Sequence, residues 1–162
     1  MSEENGMSPR TFKRRIVIGM DGSQNAKDAF LWYAKKMHQP EDYVIVVHSP
    51  EFKNLAHMPV MTSDAALMTK IVDEEQQQTK VCLTHLSEML KLNGVQGTVK
   101  HIPGEPGEQI VHAAQKEGAD FIVTGSRGMG KLRRTFLGSV SDYIVHHSPV
   151  PVLVCRLEDS LH

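Results

Sequence analysis

Five short apolar runs, each bounded by turn residues or by a helical pattern, constrain this chain more than any other feature of it. They are Arg14 to Met20 (RRIVIGM), Tyr43 to His48 (YVIVVH), Gly97 to Ile102, Ala119 to Thr124 (ADFIVT) and Val150 to Cys155 (VPVLVC). A continuous β-branched run suits a strand covered on both faces, not one with a wet side. Between the first two runs, Ala26, Ala29, Phe30, Tyr33, Ala34 and Met37 recur at helical spacing behind Ser23, a residue suited to capping, and Pro40 closes the element. That interval is right for a βαβ crossover. Ser63 to Leu92 is again helical, with an uneven stripe through Val72, Val81, Leu86 and Leu90, and Asn93-Gly94 reads as its stop. Pro103 to Gly107 reads as a turn, Glu108 to Glu117 as a short helix ended by Gly118, and Val140, Ile144 and Val145 mark a last helix that stops before Pro149. Strands alternating with helices predict an α/β fold, a doubly wound sandwich on a parallel sheet. In such sheets a ligand sits beyond the carboxyl ends of the strands, where strand order reverses, and Asp21 and Gly125 stand at two such ends.

At 162 residues the chain has the length of one ordinary domain. We place that domain at residues 13–158, behind a polar tail over 1–12 broken by Gly6 and Pro9. Residues 49–62 (SPEFKNLAHMPVMT) carry two prolines and no period, so they read as a long surface connection. With 18 basic against 19 acidic residues the net charge is -1, which excludes a global nucleic-acid or membrane-surface role and makes any cationic site local. The polar start has no apolar leader core and no window approaches 18 consecutive apolar residues, pointing to a cytoplasmic or nuclear protein. Cys82 and Cys155 have neither zinc nor redox-pair spacing and are expected to be buried, reduced thiols. His146-His147 resembles a metal pair, but adjacent helical residues do not face each other. No metal ligand and no catalytic residue is assigned.

The chemistry concentrates in Thr124 to Ser141, TGSRGMGKLRRTFLGSVS. Gly138-Ser139-Val140-Ser141 sets free amides and two hydroxyls at a helix start, where the dipole favours negative charge. Gly125 to Lys131 matches GxxxxGK, yet Leu132 stands where a P-loop needs the hydroxyl that holds magnesium. GxGxxG fails as well, because Arg133 replaces its third glycine. The spacing that fits is Gly125-x2-Gly128-x9-Gly138-Ser139.

With that spacing the chain resembles the universal stress protein family, in its ATP-binding branch, whose signature is G-x2-G-x9-G-[ST]. The likeness extends over IVIGMDGS, VVHS, PGEPGEQI, TGSRGMG and LGSVSDYIVHHSPVPVLVCR, nearly the whole chain. It implies a five-stranded Rossmann-like sheet of order 3-2-1-4-5 and a homodimer formed by pairing the last strand, Val150 to Cys155, with its copy. It also implies bound ATP, or AMP or ADP, with magnesium as a companion. Residue by residue, Gly19, Met20 and Asp21 would wall the nucleotide, and the main chain of Ser49 would meet the adenine edge. Gly125, Arg127 and Gly128 would lie beside ribose and phosphates, and Gly138, Ser139, Val140 and Ser141 would hold the phosphates. Lys131, Arg133 and Arg134 fall in the variable spacer and receive no role. The implied function is a nucleotide-dependent regulatory, stress-response module; the alternatives are a slow ATPase or autophosphorylating protein, and an interaction module without nucleotide.

Overall fold

A computed structural model of the chain describes residues 12–50, 64–126 and 137–156. Arg127, Gly128, Lys131, Arg133 and Arg134 lie outside these residues, as do the tail through residue 11 and most of the 49–62 connection. The element order is β1 (Arg14–Met20), α1 (Gln24–Lys36), β2 (Asp42–His48), α2 (Ala65–Leu92), β3 (Gly97–His101), α3 (Pro106–Lys116), β4 (Phe121–Gly125), α4 (Ser139–His147) and β5 (Val152–Cys155). The strands form one parallel sheet of order β3-β2-β1-β4-β5. This is the Rossmann-like α/β sandwich expected from the apolar runs.

The sheet separates two apolar layers, and alternation along the strands assigns residues to them. Ile16, Ile18, Val44 and Val46 pack with Phe30 and Tyr33 of α1 and Leu86 and Leu90 of α2. Val17, Ile45 and Val47 face the other way, against Ile110, Ala113 and Ala114 of α3 and Ile144 of α4. Because both faces are covered, the central strands carry no polar alternation. Among the described residues no helix is long and apolar enough to cross a membrane.

Several boundaries and one burial pattern differ from the sequence reading: β2 begins one residue earlier, at Asp42, and β3 ends one earlier, at His101. α3 begins at Pro106, two residues before Glu108, because proline suits the first helical position and its missing N–H has no helical partner there. β4 is shifted to Phe121–Gly125. β5 is shortened to Val152–Cys155, since Pro151 has no amide to donate and contributes only its carbonyl, which accepts from Ile122 N at 2.9 Å. The difference in α2 is one of burial. The helix forms as expected and ends as expected, with Gly94 at φ 65° and the Val95 amide returning to the Leu90 carbonyl at 3.0 Å. Its apolar stripe, however, is not core along its length: only Leu86 and Leu90 are buried, while Val72 and Val81 are each 46% exposed. Twenty-eight residues of helix span about 42 Å, whereas the seven-residue strands beneath span about 23 Å. The first half of α2 therefore overhangs the sheet.

At the amino-terminal edge of the sheet, Asp42 anchors the architecture. Its carboxylate is 1% exposed and accepts from Arg14 Nε and Nη2, both at 2.7 Å, from the Tyr33 hydroxyl at 2.7 Å and from the Gln39 amide at 2.9 Å. Burial pushes the carboxyl up, but the Arg14, Tyr33 and Gln39 donors together hold it below the usual carboxylate range.

Candidate functional site

The parallel sheet opens where its topology reverses. β1 and β4 pair from Ile16 opposite Phe121 to Ile18 opposite Val123. Beyond that point β1 follows β2, Met20 facing His48, while β4 follows β5, Gly125 facing Cys155. Gly19, Met20 and Asp21 on one side thus part from Thr124 and Gly125 on the other, leaving a crevice at the carboxyl ends.

Seven of the residues singled out in the sequence meet in that crevice. Gly19, Met20, Asp21, Ser49, Gly125, Val140 and Ser141 all line it. Gly138 and Ser139 sit at its edge, on the turn that starts α4, and Arg127 and Gly128 lie outside the described residues. Four further lining residues escaped the sequence reading: Ala26, Pro106, Ile110 and Thr124. Pro106 and Thr124 belong to the PGEPGEQI and TGSRGMG segments and could have been found there; Ala26 and Ile110 look like ordinary helix core. As a closed cavity the crevice is small, about 20 Å³, room for about one water. A ligand larger than that would lie along its mouth.

Three helices, α1, α3 and α4, line this crevice near their starts, and their chemistry differs. α1 is capped from within: Ser23 Oγ accepts from the Ala26 amide at 3.2 Å, and Asp21 Oδ1 accepts from the Ser23 amide at 2.8 Å across Gly22, whose φ is 84°. Asp21-Gly22-Ser23 is accordingly a turn and cap as well as a wall of the crevice. α3 opens with Pro106, which has no amide hydrogen, followed by Gly107 packed against the Tyr143 ring. α4 opens on Gly138, with no side chain capping it among the described residues. Helix geometry leaves the amides of Ser139, Val140 and Ser141 without intrahelical acceptors. The start is held in place from behind, Gly138 N donating to Ser126 O at 2.7 Å, so the two ends of the glycine stretch are tied together.

The two hydroxyls expected at this helix start do not behave alike. Ser141 is 2% exposed, its Oγ 3.0 Å from the Gly138 carbonyl and 3.3 Å from that of Ser126, so its single proton is used within the protein. Ser139 is exposed. Gly125 has a packing role too: a Cβ there would lie 3.0 Å from the Asn25 carbonyl oxygen, and backbone cannot move aside as a side chain can. Ser49 is buried, its hydroxyl donating to the Gly104 carbonyl at 3.3 Å, which binds the end of β2 to the turn before α3.

His48, one residue before Ser49, is 7% exposed and contacts His101 and Cys82. Burial, reinforced by His101, lowers its pKa, with Asp21 acting in the opposite direction. His48 is neutral at physiological pH. Of the two thiols, Cys155 is buried as expected, whereas Cys82 is only half-buried. At the other end of α4, His147 stacks on Tyr143 with ring centroids 3.9 Å apart, and His146 Nε2 lies 3.6 Å from Asp142 Oδ1.

The model of the universal stress protein family matches residues 13–156. Universal stress protein Sll1388 of Synechocystis sp. (strain ATCC 27184 / PCC 6803 / Kazusa) is 32% identical over 150 residues, covering 88% of this chain and 97% of its own. Among solved structures, that of the hypothetical protein MJ0577 superposes with a TM-score of 0.73 at 24% identity, over 92% of this chain and 99% of that one. A universal stress protein family protein from Arabidopsis thaliana, solved with AMP bound, superposes with a TM-score of 0.61 at 18% identity, over 87% of this chain and 90% of that one.

Proposed function

The chain belongs to the universal stress protein family, and from that premise we propose that it is a nucleotide-dependent regulatory module of the ATP-binding branch. One observation carries the proposal: the start of α4, capped by no side chain among the described residues, lies in the crevice where β1 and β4 part, beside Asp21 and Gly125. Three amides without helical acceptors, on a dipole whose positive end faces out, suit a phosphate group. The full spacing Gly125-x2-Gly128-x9-Gly138-Ser139 agrees with this, as does the AMP bound by the Arabidopsis relative.

The residues present fit an adenine nucleotide lying along the mouth of the crevice. The amides of Ser139, Val140 and Ser141 would hold its phosphates, with Gly138 leaving the approach open. Gly125, Arg127 and Gly128 would flank the ribose end, the main chain of Ser49 would meet the adenine edge, and Gly19, Met20 and Asp21 would form the wall. Asp21 keeps one carboxylate oxygen in its turn, and magnesium would accompany the nucleotide. The domain in this reading is 13–158, and it dimerises through β5, an edge strand whose Val152, Leu153 and Val154 are only part-buried.

Calorimetric titration of the purified protein with ATP and AMP, preceded by analysis for co-purified adenine nucleotide, tests the proposal. Saturable binding of either is expected. A folded protein with neither heat nor carried nucleotide would overturn it in favour of an interaction module. ATP turnover lost in Asp21→Ala with binding intact would instead make the chain an enzyme.

A further inference from the structure

A second group of reactive side chains lies away from the crevice, in a groove of about 1010 Å³ outlined among the described residues by α2 and the ends of β2 and β3. The register of β2 on β3 sets His48 opposite His101, and their rings stack with centroids 5.3 Å apart. His48 Nδ1 is 3.0 Å from His101 Nδ1, and on its far side His48 Nε2 is 3.6 Å from Cys82 Sγ of α2. A neutral imidazole has one donor and one acceptor nitrogen. Cys82 is a protonated thiol, its pKa raised by burial with Lys27 opposing. In the His48 tautomer protonated at Nδ1, the Cys82 S–H donates to Nε2 and Nδ1–H donates to His101. The chain of hydrogen bonds runs thiol, base, orienting group, the order in which a nucleophile is activated. It is not a metal site, because the two nitrogens of His48 point in opposite directions and cannot join Cys82 and His101 on one ion.

We propose that Cys82 is a histidine-assisted nucleophile, with His48 as its base and His101 positioning His48, and that it captures α,β-unsaturated carbonyl compounds entering the groove. Sulfur bonds to the β-carbon as the S–H proton passes to His48 Nε2. The alkene π pair moves to the α-carbon, giving an enolate, which takes the proton back from His48. The net change is addition of S–H across C=C, without oxidant, reductant or leaving group. The groove offers such a molecule apolar contact from Val72 and Leu83 and amide or hydroxyl contact from Gln76 and Thr79. This site is independent of the nucleotide reading.

Among the described residues, the charged and titratable groups around the pair are Asp21 after β1, Lys27 on α1, His101 on β3, Glu75, Lys80, Glu88 and Lys91 of α2 along the groove, and His85 of α2, which shares a second cavity with Cys82 and Lys27. None of them is placed between Cys82 and His48, so the labelling rate should report this base. N-ethylmaleimide is the probe, with adducts at Cys82 and Cys155 quantified by mass spectrometry between pH 5 and 10. A thiol acting alone, with a raised pKa, reacts about tenfold faster per pH unit up to pH 9 or beyond. A thiol served by neutral His48 reaches its plateau near neutral pH. The plateau is expected at Cys82 and not at buried Cys155. His48→Ala should remove it, slowing Cys82 about 100-fold at pH 7, and added imidazole should restore part of the rate. His101→Ala should keep a plateau at a lower level. Log-linear growth through neutral pH at Cys82 of the unmodified chain would overturn the proposal without needing any variant to fold.

Discussion

Ser139→Asp separates phosphate binding from folding, because the two should move in opposite directions. Ser139 is exposed, is the first residue of α4, and its hydroxyl bonds no described residue, so the change should cost no packing. A carboxylate in the first turn interacts favourably with the helix dipole by about 0.3 to 1 kcal/mol. For a chain of this length that raises Tm by roughly 1 to 4 °C. The same carboxylate stands where the proposed phosphates would be held. Two like charges about 5 Å apart repel by roughly 1 to 3 kcal/mol when the effective dielectric lies between that of water and that of a protein surface. Affinity for ATP should fall by a factor between about 5 and about 150, and the loss should shrink in high salt. Thermal unfolding and calorimetric titration of Ser139→Asp, with Ser139→Asn as the neutral control, measure both quantities. Higher Tm with unchanged affinity would refute the placement of the phosphates at α4. Lower Tm would refute the assignment of Ser139 to an uncapped helix start.

Asp42→Asn should destabilise the protein by about 3 kcal/mol in urea unfolding, since it leaves Arg14, Tyr33 and the Gln39 amide facing a group that is uncharged and half donor. The folded pKa of Asp42 is depressed, so its contribution is present above the unfolded value of 3.8 and is lost as pH falls through the folded value; the variant should show a flatter stability profile below about pH 4, and a parallel profile would refute the anchor. Sedimentation equilibrium should find a dimer that Val154→Pro dissociates. Pro151 and Cys155 carbonyls face β4, accepting from Ile122 and Ser126, so alternation turns the Val154 amide to the open edge; a dimer unaffected by losing that amide would exclude pairing through β5.

Most of the fold was legible because its signals are local. A strand covered on both faces must be apolar at every position, and Ile16 to Ile18 and Val44 to Val47 show this without reference to any partner. The stops at Gly94 and Gly118 were readable for the same reason, since a left-handed residue is a property of one position. The crevice was readable through Gly125, Gly138 and Asp21, because glycines and a helix start gathered in a short span of chain are a local signal. Its walls at Ala26 and Ile110 were not, as nothing distinguishes them from core until the sheet sets them beside Gly125 and Gly19.

Distance along the chain decided the rest. The overhang of α2 follows from the length of strands it does not contain, so Val72 and Val81 looked like core and are exposed. Asp42, adjacent to an apolar run, gave no sign that Arg14 and Tyr33 would converge on it. His48, Cys82 and His101 lie 34 and 53 residues apart, a separation that carries no periodic signal. Only the register of β2 on β3 and the path of α2 across the sheet bring them together, and a slip of one residue would turn His101 to the other face. The sequence by itself determined the elements and the glycine-rich turn that opens α4, whose physics is local. The tertiary structure alone decided which thiol acquires a base, because that depends on the pairing of strands that the sequence keeps far apart.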